Sequence, residues 1–272
     1  MSPTAAVVGV DVGGTKIAAG VVDLADGRVA GRRQVPTAPE RGPEAVLRTL
    51  VELVEELAAA TGDVAAVGIG VCELVDPRGR VRSGQTIDWR GVDLPAAVRH
   101  VAPARVESDV RAAAHAEARF GAGRGAGDFL YVSVGTGISL CAVLSGRPYP
   151  GTRGNAIILG APAVEDVASG SALAAAAGRA RAQDVLADPG ASALVARAAA
   201  ALGTAIAGVV NALDPALVVI GGGLGLAEGY RAAVEDALRA GVWAEETAAL
   251  PVVPAQLGAD AGIVGAALAA VS

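Results

Sequence analysis

Two turns built from glycine and threonine carry the strongest chemical signal in this chain. Asp11-Val12-Gly13-Gly14-Thr15-Lys16 separates the apolar run from Val7 from the one ending at Val22. Val134-Gly135-Thr136-Gly137-Ile138 separates the run from Phe129 from the one ending at Leu144. A hairpin tip of this composition exposes backbone N–H groups with no bulky side chain in the way. Such groups form a concavity that accepts anions. Two of them in one chain point to the phosphates of a nucleotide held between two halves. Gly221-Gly222-Gly223, directly after Leu217-Val218-Val219-Ile220, adds a third glycine turn behind a buried-looking strand. Lys16 is the only lysine in the chain and sits in the first turn. The plain alternatives are tight hairpins and an ordinary surface lysine.

The spacing excludes two common phosphate loops. A P-loop needs Gly-Lys-Ser/Thr opening a helix. Here Lys16 follows Thr15 and a strand-like run comes next. No Gly-x-Gly-x-x-Gly opens a helix with an acidic residue at the distance a dinucleotide fold needs.

The elements that would position these turns are legible in outline. The first hairpin leads to a third extended run near residues 27–35, then a Pro-rich connection. Pro43 opens a helix whose apolar positions Val46, Leu47, Leu50, Leu53, Val54 and Leu57 follow helical spacing. Gly62 ends it, and residues 64–71 read as a buried strand. The order β-β-β-α-β indicates layered α/β architecture. Residues 76–94 read as loop, with a turn at Asp76-Pro77-Arg78-Gly79. A short strand ends at Val106-Glu107-Ser108-Asp109, and an alanine-rich helix spans 110–120. This places Ser108 and Asp109 at a helix N-terminus. After the second hairpin, helices are expected at 164–180, 191–213 and 226–240, a strand near 250–254, and a last helix from Asp260. The second half thus repeats the scheme of the first.

The 272 residues are enough for two lobes or one large domain, and 53% hydrophobic residues exclude a disordered chain. A net charge of −6, no basic run and 3% aromatic residues argue against nucleic acid as a partner. The two cysteines, Cys72 and Cys141, make neither a disulfide framework nor a zinc spacing, and both read as buried free thiols. Met1-Ser2-Pro3-Thr4 lacks the features of a signal peptide, and the apolar stretch around 198–210 reads as too short for a membrane span. A cytoplasmic protein with no membrane partner is the expectation.

At this point the chain resembles the ROK family of bacterial sugar kinases and repressors, within the actin-like ATPase superfamily. Asp11 to Lys16 is similar to that family's first phosphate loop, and Val134 to Ile138 to its second. Asn211-Ala212-Leu213-Asp214-Pro215 through Leu224 is similar to its nucleotide-binding segment. Leu257 to Ala266 is similar to its closing helix. No helix-turn-helix extension precedes the first strand, so the resemblance implies a kinase. It implies a two-lobed α/β fold of the ribonuclease H-like kind, with mixed sheets and flanking helices. The expected lobes are 1–109 plus 259–272 and 110–258, and the resemblance implies a homodimer. Nucleotide contacts are implied for Asp11, Gly13, Gly14, Thr15, Lys16, Gly135, Thr136, Gly137, Gly221, Gly222 and Gly223. ATP and Mg²⁺ are the implied cofactors, with Asp11 orienting the ion through water.

The family's general base lies in a Glu-Asn-Asp motif, matched here by Glu107-Ser108-Asp109. Asp109 is therefore the catalytic candidate. A hydroxyl that attacks a γ-phosphate must lose its proton, and a placed carboxylate can accept it. The helix N-terminus is expected to keep that carboxylate ionised. Read locally, Asp109 is merely an N-cap.

The departures from the family concern the acceptor. The family's zinc-binding loop is absent, and its Glu-x-Gly-His positions are Ile158 and Ala161, so no zinc is expected. Cys72-Glu73 replaces Pro-Gly, Thr86 and Ser108 replace asparagines, and Arg111 replaces another. Glu73, Thr86, Ser108, Asp109 and Glu165 are the expected acceptor contacts, with Glu73 placed to pair with an amine and Glu165 alternatively a solvated helix-start carboxylate. A buried hydroxyl facing Ile158 and Ala161 would lose its partners, at roughly 1–3 kcal/mol each. The expected substrate is a sugar-like small molecule, an amino sugar or a C7 cyclitol. An ordinary glucokinase and a non-catalytic sugar sensor are the alternatives.

Overall fold

A computed structural model describes residues 6–160 and 163–272. Ala161 and the first residues read above for a leader lie outside them. The chain divides into two units, each built on its own five-stranded sheet.

The first unit opens with β1 (Ala6–Val12), β2 (Lys16–Val22) and β3 (Val29–Pro36), an antiparallel meander. Helix α1 (Pro43–Thr61) crosses back to β4 (Val64–Val71), which pairs parallel with β1. A short helix, α2 (Leu94–Val98), precedes β5 (Ala104–Ser108), which pairs parallel with β4. Helix α3 (Asp109–Phe120) follows without a break. The sheet order is β3-β2-β1-β4-β5. One face packs on α1 through Val46, Leu50, Leu53 and Leu57 with Val10, Ile69 and Val106 of the strands. Leucine and valine at helical spacing make that core cohesive, at roughly 1.5–3 kcal/mol for each fully buried side chain.

The second unit contains β6 (Phe129–Val134), β7 (Ile138–Leu144), the two-residue β8 (Arg147–Pro148), and helices α4 (Glu165–Ala168), α5 (Gly170–Ala176), α6 (Ala182–Leu186) and α7 (Ser192–Leu213). Then come β9 (Val218–Gly221), α8 (Glu228–Gly241), α9 (Glu245–Ala248) and β10 (Val252–Pro254). Its sheet order, β10-β9-β6-β7-β8, repeats the first unit's connectivity. The closing helix, α10 (Ala261–Ala270), belongs to the first unit. A Cβ at Gly9 would collide with the Ile263 carbonyl, and one at Gly68 with that of Ala266. Glycine on the strands therefore lets α10 lie directly on the backbone of the sheet's second face.

Four expectations need correction. The first unit runs through Phe120 and also takes in Pro148–Asn155, so its edge is not at Asp109. Helix α3 packs on α10, where a Cβ at Gly265 would meet the Ala112 carbonyl, and the Arg111 guanidinium donates to the Gly154 carbonyl at 2.8 Å. The helix expected over 164–180 is two short helices, α4 and α5, broken at Ser169. Ser169 is extended and caps α5 by accepting the Ala172 N–H, and Gly170 donates to the Gly135 carbonyl at 2.8 Å. Helix α6 has no counterpart in the expected elements. Finally, the stretch around 198–210 lies in a helix of 22 residues, α7, long and apolar enough by length and composition to cross a membrane. In the second unit α7 is a core helix: Ala198, Leu202, Ile206 and Val210 are buried with Leu130, Val132 and Ile220 of the sheet.

Candidate active site

The carboxyl ends of β1, β4 and β5 come together through register. Val12 is opposite Val71, and Val71 opposite Ser108. The residues just beyond these ends are therefore neighbours: the first glycine turn, Cys72-Glu73, and Asp109. Ligands of open α/β sheets bind at this edge.

The first turn is closed by its own backbone and braced from outside. Gly13 donates to the Lys16 carbonyl at 3.0 Å, Thr37 donates its N–H to the Thr15 carbonyl at 3.1 Å, and the Thr37 hydroxyl donates to the Gly13 carbonyl at 2.7 Å. Thr15 and Lys16 are exposed at the tip.

Asp11 and Asp109 carry the unusual electrostatics. Burial pushes the Asp11 carboxyl up to about 6, against the opposing pull of Lys16 and Arg32. Arg32 is itself held by Asp260 at 2.8 Å. The first turn of α10 closes on Asp11, since a Cβ on Gly262 would stand 2.5 Å from the Asp11 Cγ. Asp109 is pushed up to about 7, first by burial and then by the charge of Asp11, with Glu73 adding to it. The Val110 N–H, at 2.6 Å from Oδ1, and Arg111 oppose the shift. The expectation that the helix N-terminus keeps Asp109 fully ionised is thus corrected: one N–H does not outweigh burial beside a second carboxylate. A carboxyl balanced near neutrality can take a proton and release it.

The other expected acceptor residues are placed differently from one another. Thr86 is exposed and its methyl covers Gly14, 2.9 Å from where a Cβ would stand. Glu73 is 2% exposed. Its Oε1 accepts the N–H groups of Thr86 at 2.7 Å and Ile87 at 3.1 Å, and its Oε2 accepts Gln85 N–H at 3.0 Å and the Ser83 hydroxyl. The carboxylate is thus spent on its own loop, which leaves amine pairing without geometric support. Ser108 is fully buried on the same strand face as Val106, and its hydroxyl has no hydrogen-bond partner among the described residues. Cys141 is buried as expected, but Cys72 is only half-buried, and burial with the nearby Asp109 pushes its thiol up to about 12. It stays a neutral thiol beside the carboxylate.

In the second unit the Gly135–Gly137 turn is held from three sides. Gly135 donates to the Gly137 carbonyl at 2.9 Å. The Ser171 hydroxyl donates to the Thr136 carbonyl at 2.7 Å, and Glu165 Oε1 accepts the Ile138 N–H at 3.2 Å. A Cβ at Gly137 would run into that same Glu165 oxygen. The Gly221–Gly223 turn lies against the end of β6, where Leu224 and Gly225 both donate to the Val134 carbonyl at 3.0 Å. Gly222 has φ +80, and a Cβ there would strike Val134. The turn brings Gly223 into view of the Gln183 amide.

Thr37, Arg32, Ser171 and Gln183 were not among the residues singled out from the sequence. No local pattern marks them: each reaches a glycine turn or Asp11 from a distant element. Arg111 was noted only as a departure, yet it is 2% exposed, paired to Glu107, and donates to the Val75 and Gly154 carbonyls.

The chain and its fold are similar to known proteins. The chain is 34% identical, over 97% of its length, to the bifunctional enzyme NanE/NanK of Brucella melitensis, and spans about half (54%) of that protein. It is 32% identical to the N-acetylmannosamine kinase of Escherichia fergusonii, covering 96% of this chain and 97% of that one. The structure superposes on the glucokinase of Streptomyces griseus solved with glucose and AMPPNP (TM-score 0.85, 31% identity, covering 97% of this chain and 99% of that one). It also superposes on the ROK hexokinase of Thermus thermophilus (TM-score 0.79, 36% identity, 98% of each chain). These neighbours share the actin-like ATPase fold, with mixed sheets and flanking helices. With the profile of the ROK family matching residues 7–272, the chain belongs to the ROK family.

Proposed function

We propose that the protein is an ATP-dependent kinase that phosphorylates a hydroxyl of a sugar or sugar-like acceptor. The observation that carries this reading is the Asp109 carboxyl, pushed up to about 7 at the sheet edge beside Asp11 and the first glycine turn. The names of the relatives support it: they are kinases of N-acetylmannosamine and glucose.

Asp109 accepts the proton of the attacking hydroxyl as the new O–P bond forms and the bond between the γ-phosphorus and the β-bridging oxygen breaks, releasing ADP. Each glycine turn offers N–H donors to phosphate oxygens, with Lys16 adding charge at the first. Asp11 fits a cation: its carboxylate accepts no hydrogen bond among the described residues, and like charge from Asp109 faces it. Mg²⁺ held there through water would neutralise phosphate charge. Thr86 lies beside the acceptor hydroxyl with Asp109. Glu165 sets the second turn.

For the acceptor itself, a cyclitol or modified sugar is favoured over glucose, because the positions resembling the family's Glu-x-Gly-His are Ile158 and Ala161, residue types with no side-chain hydrogen-bonding atom. ADP release measured with ATP, Mg²⁺ and a panel of glucose, N-acetylmannosamine, glucosamine and cyclitols tests both levels. Release that depends on one acceptor supports the kinase. Turnover of glucose above all others contradicts the cyclitol preference, and no release with any acceptor favours the non-catalytic sensor.

A further inference from the structure

Glu73 is a buried carboxylate that the phosphoryl-transfer step does not use. Its four hydrogen bonds all go to residues 83–87: the Ser83 hydroxyl and the N–H groups of Gln85, Thr86 and Ile87. Ser83 is fixed in turn, because its hydroxyl accepts the Leu74 N–H at 2.8 Å. The hairpin between these two ends is pinned separately. Asp76 accepts the N–H groups of Arg78 and Arg80 and takes the Arg82 guanidinium, and Val75 bridges Val81. Among the described residues, the hydrogen bonds of the Glu73 carboxylate therefore hold the strap 83–87 alone.

Burying a carboxylate is costly, and a core built only for stability is served as well by an apolar side chain. The strap's outer residues, Gln85 and Thr86, are exposed and add nothing to the core; only Ile87 at its end is buried. What three N–H bonds to one carboxylate do fix is where Thr86 stands. Its methyl rests over Gly14 and its hydroxyl lies beside the Cys72 thiol, next to Asp109.

We infer that Glu73 is a positioning residue that sets acceptor affinity by clamping the 83–87 strap, and with it Thr86, over the first glycine turn beside Asp109. This rests on the kinase reading for its meaning but not for its geometry. Glu73 acts through the strap and does not touch the acceptor. Glu73→Gln keeps the shape but points an amide N–H₂ at N–H donors that need an acceptor, so it should loosen the strap without emptying the site.

The test compares wild type with Glu73→Gln, using full-length protein shown by melting to be folded. Amide exchange at Gln85, Thr86 and Ile87 should speed up by about tenfold or more, as expected when an opening loses roughly one hydrogen bond's worth of free energy. Exchange in α8 should stay unchanged. With glucose, N-acetylmannosamine, glucosamine and cyclitols as probes, KM for the acceptor that wild type turns over best should rise about tenfold with kcat changed much less, while AMPPNP affinity is retained. Unchanged exchange at 85–87 overturns the inference, as does a fall in kcat at constant acceptor KM. If wild type releases no ADP with any probe, the kinase reading fails, and the exchange data still decide whether Glu73 holds the strap.

Discussion

Replacing Asp109 by Asn should abolish turnover and at the same time stabilise the protein at alkaline pH. The Asp109 carboxyl is pushed from 3.8 up to about 7, by burial first and by Asp11 second. A carboxyl raised on folding binds its proton more tightly in the native state. Its contribution is most favourable below the unfolded value and is lost as pH rises through the folded one. The roughly three-unit shift, at about 1.36 kcal/mol per unit, puts the penalty at up to about 4 kcal/mol once the group is charged. About a third of that has accrued by about pH 5 and all of it by about pH 8. Asn carries no charge, so the penalty vanishes. Melting of both proteins without nucleotide should show the variant ahead of wild type at about pH 8, with the gap narrowing at about pH 5. Turnover should fall about 10²–10⁴-fold, the range for losing a general base, with AMPPNP binding retained. A gap that does not change with pH, or a variant less stable at the higher pH, would refute the electrostatic reasoning. Near-normal turnover would remove Asp109 from the chemistry.

Three further outcomes follow from the same geometry. The acid limb of the wild-type rate profile should reflect Asp109, with kcat/KM for the acceptor rising through about pH 7 as the base of the free enzyme loses its proton; a flat kcat/KM profile from about pH 5 to 8 contradicts this. Arg111→Met strands Glu107 and the Val75 and Gly154 carbonyls, so it should cost about 3–5 kcal/mol, the range for breaking a buried ion pair; urea unfolding that shifts by less than about 1 kcal/mol argues against the clamp. Gly137→Ala pushes a methyl into the Glu165 carboxylate and should weaken AMPPNP binding about tenfold or more by calorimetry, whereas Gly229→Ala, at a glycine of α8 with ordinary helical backbone and open space around it, should leave that affinity alone.

Much of the fold is legible in the residues because local and global preferences agree. The run at 64–71 is apolar on both faces, as a central parallel strand requires, and β4 has those bounds. Pro43 and Gly62 bracket α1 for the same kind of reason. The glycine turns stand out because glycine at a hairpin tip has few other uses. Legibility fails where the deciding partner is distant. Nothing near Ser169 announces that the Gly135 carbonyl will break the helix beside it. Thr37 reads as part of a Pro-rich connection until it is found bracing Gly13. Glu73 reads as a ligand for an amine, because a carboxylate's partners across a ten-residue hairpin leave no periodic trace. Asp109 reads as an ionised cap because the opposing influences, burial first and then the charge of Asp11 on another strand, arise only in the folded chain. Site residues are thus identifiable by type, while their protonation and their commitments belong to the tertiary structure.

The reaction itself can be watched by ³¹P NMR of ATP and Mg²⁺ with the acceptor that best stimulates ADP release. The kinase reading predicts loss of the γ-phosphate signal in step with ADP and one new phosphomonoester resonance on the acceptor, absent with Asp109→Asn. Signals of ATP that persist unchanged, or inorganic phosphate as the sole new product, would contradict it.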